Sequence, residues 1–97
     1  NRVHSSMQPS AEIEMLNRVG SGYVSKIYKS DKIEIEVWAD GVLVVKIATA
    51  NGSSARNVLG SGAPLRYITY TNSIVVKAKN TDVSGANSVN LQHIMTG

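Results

Sequence analysis

An all-β fold, a single small antiparallel β-sandwich of jelly-roll type with about six or seven strands, is what this sequence predicts. Three observations carry the prediction. Ile33, Ile35, Val37 and Ala39 alternate with Lys32, Glu34, Glu36 and Trp38, the two-residue period of a strand with one covered face. Turn residues (Gly, Asn, Asp, Ser) break the chain at intervals of roughly 8–12 residues, the spacing of short antiparallel strands. The hydrophobic fraction of 42% is carried by Val, Ile and Ala with no Phe, and charged residues make up only 18%. β-Branched side chains suit a pleated, half-buried surface better than a helix.

The elements follow in order. Residues 1–10 are polar, carry Pro9 and lack periodicity, which predicts a flexible N-terminal arm ahead of a β-sandwich domain over 11–97. In Ala11 to Val19, Ile13 and Met15 alternate with Glu12 and Glu14, favouring a strand over a short helix. Gly20-Ser21-Gly22 is a turn, and Tyr23 to Lys29 a strand with Tyr23 and Ile27 on one face and Val24 and Tyr28 on the other. The alternating strand after Ser30-Asp31 ends at Asp40-Gly41, the pair favoured by a two-residue hairpin turn, and Val42 to Ala48 is its partner. Ala50 to Gly62 is a long glycine-rich connection. Leu65 to Thr71, Ile74 to Lys79 and Ser88 to Thr96 complete the strands. The absence of a Cys-Trp-Cys signature favours a jelly roll over an immunoglobulin-type sandwich.

Ninety-seven residues make one domain and leave little core for an elaborate active site. Without cysteine there is no disulfide frame, thiolate nucleophile or Cys-based zinc site. No apolar run reaches the roughly 18 residues that read as a membrane span. The net charge is +3, but the cations are spread along the chain instead of gathered on one stripe, so no nucleic-acid partner is expected. The chain opens on Asn1 with no visible signal peptide, consistent with a preceding segment having been cleaved or omitted.

No catalytic constellation emerges, and no enzyme, cofactor or metal is expected. A hydrolytic triad needs a nucleophile, base and orienting acid that converge. The two histidines are His4 in the polar arm and His93 on an apolar strand face with Leu91 and Met95, where a structural role is expected. Glu34 and Glu36 lie side by side on one strand, Cα atoms roughly 6.5–7 Å apart, instead of facing each other across a cleft. Lys32 and Lys46 are placed to pair with them. Asp31, Asp40 and Asp82 lie in or beside turns, where such side chains cap the backbone, and no calcium-loop spacing joins them. Trp38 points away from the Ile33/Ile35/Val37 face. It reads either as a contact anchor for a protein or sugar, or as second-layer core. Tyr67 and Tyr70 lie on opposite faces, so only one can join a contact patch. The candidate partner-binding set is Trp38, Glu34, Glu36 and Tyr67.

Residues 20–41, from Gly20-Ser21-Gly22-Tyr23 through Ile33-Glu34-Ile35-Glu36-Val37 to Asp40-Gly41, resemble a pattern of small phage and virus structural proteins. In these, a Gly-rich turn leads to a strand, and an alternating strand closes in a Val-x-x-Asp-Gly hairpin. The resemblance implies a jelly-roll or sandwich subunit of a virion: a capsid decoration, spike, collar or tail component. It carries over no functional residues. The expected function is therefore structural assembly with copies of itself or other structural proteins, in a virion or extracellular setting. Two alternatives stay open. One is a secreted carbohydrate-binding or adhesion module; the other is a pilus-like fibre subunit in which Ala11 to Val19 donates a strand to its neighbour.

Overall fold

The computed structural model describes residues 2–50, 52 and 54–97; Asn1 of the expected arm and Asn51 and Ser53 of the expected long connection lie outside the described residues. The described chain forms nine strands and no helix: β1 (Arg2–Met7), β2 (Glu12–Val19), β3 (Gly22–Ser30), β4 (Ile33–Ala39), β5 (Val42–Ile47), β6 (Ala55–Leu59), β7 (Ile68–Tyr70), β8 (Ser73–Asn80) and β9 (Asn87–Met95). Sheet I runs β1-β9-β3-β6, with β7 continuing β6 along the same edge of β3. Sheet II runs β2-β8-β4-β5. Every pair of strands is antiparallel.

The pairing is nested. The β4–β5 hairpin lies at the centre of the chain, and outward from it β3 pairs with β6 and β7, β2 with β8, and β1 with β9. Successive pairs fall alternately in sheets II and I. A long hairpin wrapped so that its layers alternate in this way is the jelly-roll arrangement. The expected β-sandwich is therefore the fold. Its interior is filled by small branched chains, including Val24, Ile27, Leu59, Val89 and Leu91 from sheet I and Ile33, Ile35, Val37, Ile74 and Val76 from sheet II, all fully buried.

Four expectations need correcting. Residues 2–7 are not a free arm: β1 pairs with β9 from Arg2↔Gln92 to Met7↔Asn87, and Met7 is core, so the sandwich includes these six residues of the 1–10 segment assigned to the arm. The connection after β5 contains β6, held against β3 by Leu59 in the core. These two elements, added to the seven strands expected at most, bring the count to nine. The strand expected over Leu65 to Thr71 is only Ile68–Tyr70, while Leu65 bridges Leu59. Finally, β3 has a bulge at Ser25, which shifts the alternation by one residue. Val24 and Ile27 therefore both point inward, and Tyr23 and Tyr28 share the outer face. Gly60 sits against this bulge with φ +117°; a Cβ there would lie 2.5 Å from the Ser25 carbonyl oxygen, so only glycine fits without displacement.

The Asp40-Gly41 turn is as expected, with φ +54° and +82° and Ala39 paired to Val42. Asp40 does more than turn the chain. Its carboxylate accepts hydrogen bonds from the backbone N–H groups of Thr71, Asn72 (2.6 Å) and Ser73 and from the Thr71 hydroxyl. It thereby fixes the bend where the chain passes from β7 in sheet I to β8 in sheet II.

Candidate interaction surface

The outer face of sheet II collects three of the four expected contact residues. Glu34, Glu36 and Trp38 stand on it at alternate positions of β4, between the buried Ile33, Ile35, Val37 and Ala39. The register sets a ladder of opposite charges across the strands. Glu12, Lys79 and Glu34 form one row; Glu14, Lys77, Glu36 and Lys46 form the next. Lys46 lies 3.3 Å from Glu34 and 3.8 Å from Glu36, as the sequence suggested; Lys32, the other expected cation, is not the partner in this pairing. Cross-strand pairs of opposite sign stabilise a sheet modestly and use up one another's charge. The two glutamates thus share Lys46 on a solvated strand face.

The third row is apolar except for Asn17 at its β2 end. It runs from Asn17 through Val75 and Trp38 to Leu43. The Trp38 indole N–H donates to Glu36 Oε1 at 3.4 Å, and Lys77 Nζ lies 5.7 Å from the ring centroid. Beside it β5, one of the two edge strands of sheet II, carries Val42, Leu43 and Val44 with 62%, 40% and 49% of their surface exposed. A bulge in β5 leaves Val44 as the extra residue opposite Trp38. The sequence-level reading missed Leu43, Val44 and Val75. A signal existed: Val42-Leu43-Val44-Val45 is an unbroken apolar run in a strand whose alternate positions should be polar if its outer side met only water.

Tyr67 does not join this patch. It lies on the outer side of sheet I, stacked on Tyr23 with ring centroids 5.6 Å apart and planes inclined by 16°. Tyr70 is buried, which pushes its phenol pKa up.

The other polar groups read as architecture. His93 is 2% exposed on the inner side of β9 between Leu91 and Met95, and burial pushes its pKa below the usual histidine value. His4 projects outward from β1, so the two histidines face opposite sides of sheet I. Asp31 is buried and gripped by the Arg56 guanidinium, Nε 2.9 Å from Oδ1 and Nη2 donating to Oδ2 at 3.0 Å. Its backbone holds Ala50 and Ser54, tying the β5–β6 connection to the end of β3. Lys29 is buried nearby, Nζ donating to the Ser30 carbonyl at 3.2 Å. Burial lowers its pKa, Asp31 works against that, and Arg56 adds to it.

At the same end, the fully buried Asn80 amide donates to the carbonyls of Met7, Gln8 and Gly85, each at 3.1 Å. Its oxygen accepts from the Asp82 N–H and from Asn87 Nδ2. Asp82 in turn caps Ser84 and Gly85, and the Ser84 N–H above all holds its carboxyl below the ordinary range. These contacts join the β1–β2 and β8–β9 connections across the two sheets. Asp31, Asp40 and Asp82 thus sit at separate turns, each engaged locally. No group of three His, Asp or Glu side chains suited to a metal ion occurs among the described residues, and no helix there is long and apolar enough to cross a membrane. No protein-family model matches the chain, and no curated protein or solved structure matches it.

Proposed function

We propose that this chain is a non-catalytic structural subunit that acts through protein–protein contacts with copies of itself, in its most specific form a virion component such as a capsid decoration, spike, collar or tail protein. One observation carries the reading. Trp38, Val75, Leu43 and Val44 form a continuous apolar strip that ends at the β5 edge of sheet II. Long apolar edges invite association, and a strip with an aromatic anchor at its centre is the usual make-up of a contact hot spot. The bulge at Val44 and the charge of Lys46 oppose simple strand-on-strand addition, so the strip acts as a packing face. The virion form draws on the resemblance of residues 20–41 and on the nested jelly-roll pairing, an arrangement used by many capsid domains. The donor-strand version has less support, because Glu12–Val19 pairs with β8 of its own chain along most of its length.

Sedimentation equilibrium over a wide concentration range tests the assembly. A closed oligomer is expected, and Val44→Lys or Leu43→Glu should convert it to monomers without lowering the melting temperature. A monomer at every concentration, or an oligomer indifferent to both substitutions, overturns the reading. The virion assignment requires the chain in purified particles at a stoichiometry set by shell or tail symmetry, measurable by quantitative mass spectrometry. Its absence from particles sinks that assignment.

A further inference from the structure

The outer face of sheet I has a chemistry of its own. The chain has seven acidic residues: four glutamates on the outer face of sheet II and three aspartates in turns. None remains for the outer side of sheet I. Its outward rows follow from the register. Arg2, Gln92 and Lys26 are cross-strand neighbours, and His4, Asn90, Tyr28 and Asn57 form the row beside them. Arg2, Lys26, Tyr28, Asn90 and Gln92 line one shallow groove. Further along the face stand the stacked Tyr23 and Tyr67.

These groups are held in place without being used. Lys26, Asn90 and Gln92 are half-buried, yet their side chains make no hydrogen bond or ion pair within the chain among the described residues. On sheet II, by contrast, Lys46 is committed to Glu34 and Glu36. The β3 bulge puts Tyr28 on this side in place of the face that simple alternation would give it.

We propose that the outer face of sheet I binds an acidic oligosaccharide, carboxylated or sulfated, in the groove of Arg2, Lys26, Tyr28, Asn90 and Gln92. Each group has a matching task. Arg2 and Lys26, one on either side of Gln92, meet a single acidic substituent in a charge-assisted contact that no nearby carboxylate contests. The two primary amides each present a donor pair and an acceptor, the complement of ring hydroxyls. Tyr28 offers an apolar ring face to the sugar and a hydroxyl at its rim. A nucleic-acid strand fits less well, because it asks for a track of cations along successive phosphates, and this groove supplies two cations separated by Gln92.

Titration calorimetry on the whole chain tests the site, with a sulfated hexasaccharide, a polyuronate hexasaccharide, an uncharged hexasaccharide of equal length and poly(U) as probes. An acidic hexasaccharide should bind at least about tenfold more tightly than the uncharged one, the worth of one charge-assisted hydrogen bond. Lys26→Ala and Tyr28→Ala should each weaken that binding by about tenfold at unchanged melting temperature. Trp38→Ala should leave it unchanged, which separates this site from the assembly strip. The proposal is overturned if neither acidic probe binds or the uncharged probe binds equally well. Tighter binding of poly(U), or normal binding by both folded groove variants, overturns it as well.

Discussion

The two outer faces of the sandwich are built on the same strand geometry and have opposite economies of charge. On sheet II, acids and lysines alternate across the rows, and Lys46 lies within ion-pair distance of Glu34 and Glu36; the part left over is apolar, around Trp38 and Leu43. On sheet I there is no acid to answer Arg2 and Lys26, and the residue types are tyrosine, amide and cation. A net charge of +3 conceals this, because it averages a nearly balanced face with an unbalanced one. What the difference teaches is that surface charge becomes available for a ligand only where the register withholds a partner.

The largest effects should ignore the faces altogether. Ile35 of sheet II and Leu91 of sheet I are both fully buried in the shared interior. Ile35→Ala and Leu91→Ala should each cost about 2–5 kcal/mol, and calorimetric melting should fall by roughly 10 °C or more. A marked inequality between them would mean that one sheet carries the fold and the other is an accessory, which would break the symmetry on which the comparison of faces rests.

Charge reversal should then separate the faces. Lys77 lies opposite both Glu14 and Glu36, so Lys77→Glu sets three carboxylates in a row. Destabilisation of up to about 1 kcal/mol is expected, and about 1 M salt should remove most of it. Lys26→Glu on sheet I meets no acid, and its stability should stay within about 0.5 kcal/mol of wild type. Denaturant melts at two salt concentrations would show this. Equal, salt-independent losses at both sites would mean that the ladder does no electrostatic work.

Which parts of this were legible beforehand depended on contrast between the two sides of each strand. In β4 every inward position is fully apolar and every outward one polar or amphipathic, so the strand, its phase and the outward Trp38 were all readable. The β1 strand turns only Val3, Ser5 and Met7 inward, and β6 anchors mainly through Leu59; edge strands with so few buried positions leave almost no periodic signal. In β3 the alternation was present, but the bulge at Ser25 reversed its phase, and no local rule announces a bulge set by an approaching Gly60 backbone. The residues expected to make contacts split for a related reason. Glu34, Glu36 and Trp38 share one strand, so their common side follows from spacing, whereas placing Tyr67 required knowing which sheet its strand joins.

The smallest expected effect concerns a carboxylate that neither face claims. Asp40 ends the hairpin of sheet II and grips the bend that leaves sheet I, accepting backbone N–H groups instead of pairing with a cation. Those bonds, from Asn72 first and Ser73 next, hold its pKa below the ordinary 3.8. The folded chain therefore gives up this proton more readily than the unfolded chain. The resulting stability is complete above the unfolded value and lost as pH falls through the lower folded one. Asp40→Asn keeps an acceptor oxygen for Asn72 and Ser73 and tolerates the positive φ, while its amide nitrogen takes the place of the oxygen that accepts from the Thr71 hydroxyl, so it removes the charge and one acceptor, much as protonation does. Wild type should be more stable than Asp40→Asn at neutral pH, and the gap should close below about pH 4. Salt should leave the gap largely intact, because the partners are fixed dipoles at hydrogen-bond distance and not mobile side-chain charges. A gap that stays constant down to acid pH would mean that the bend is held by shape alone, and that the negative charge at this crossing point contributes nothing.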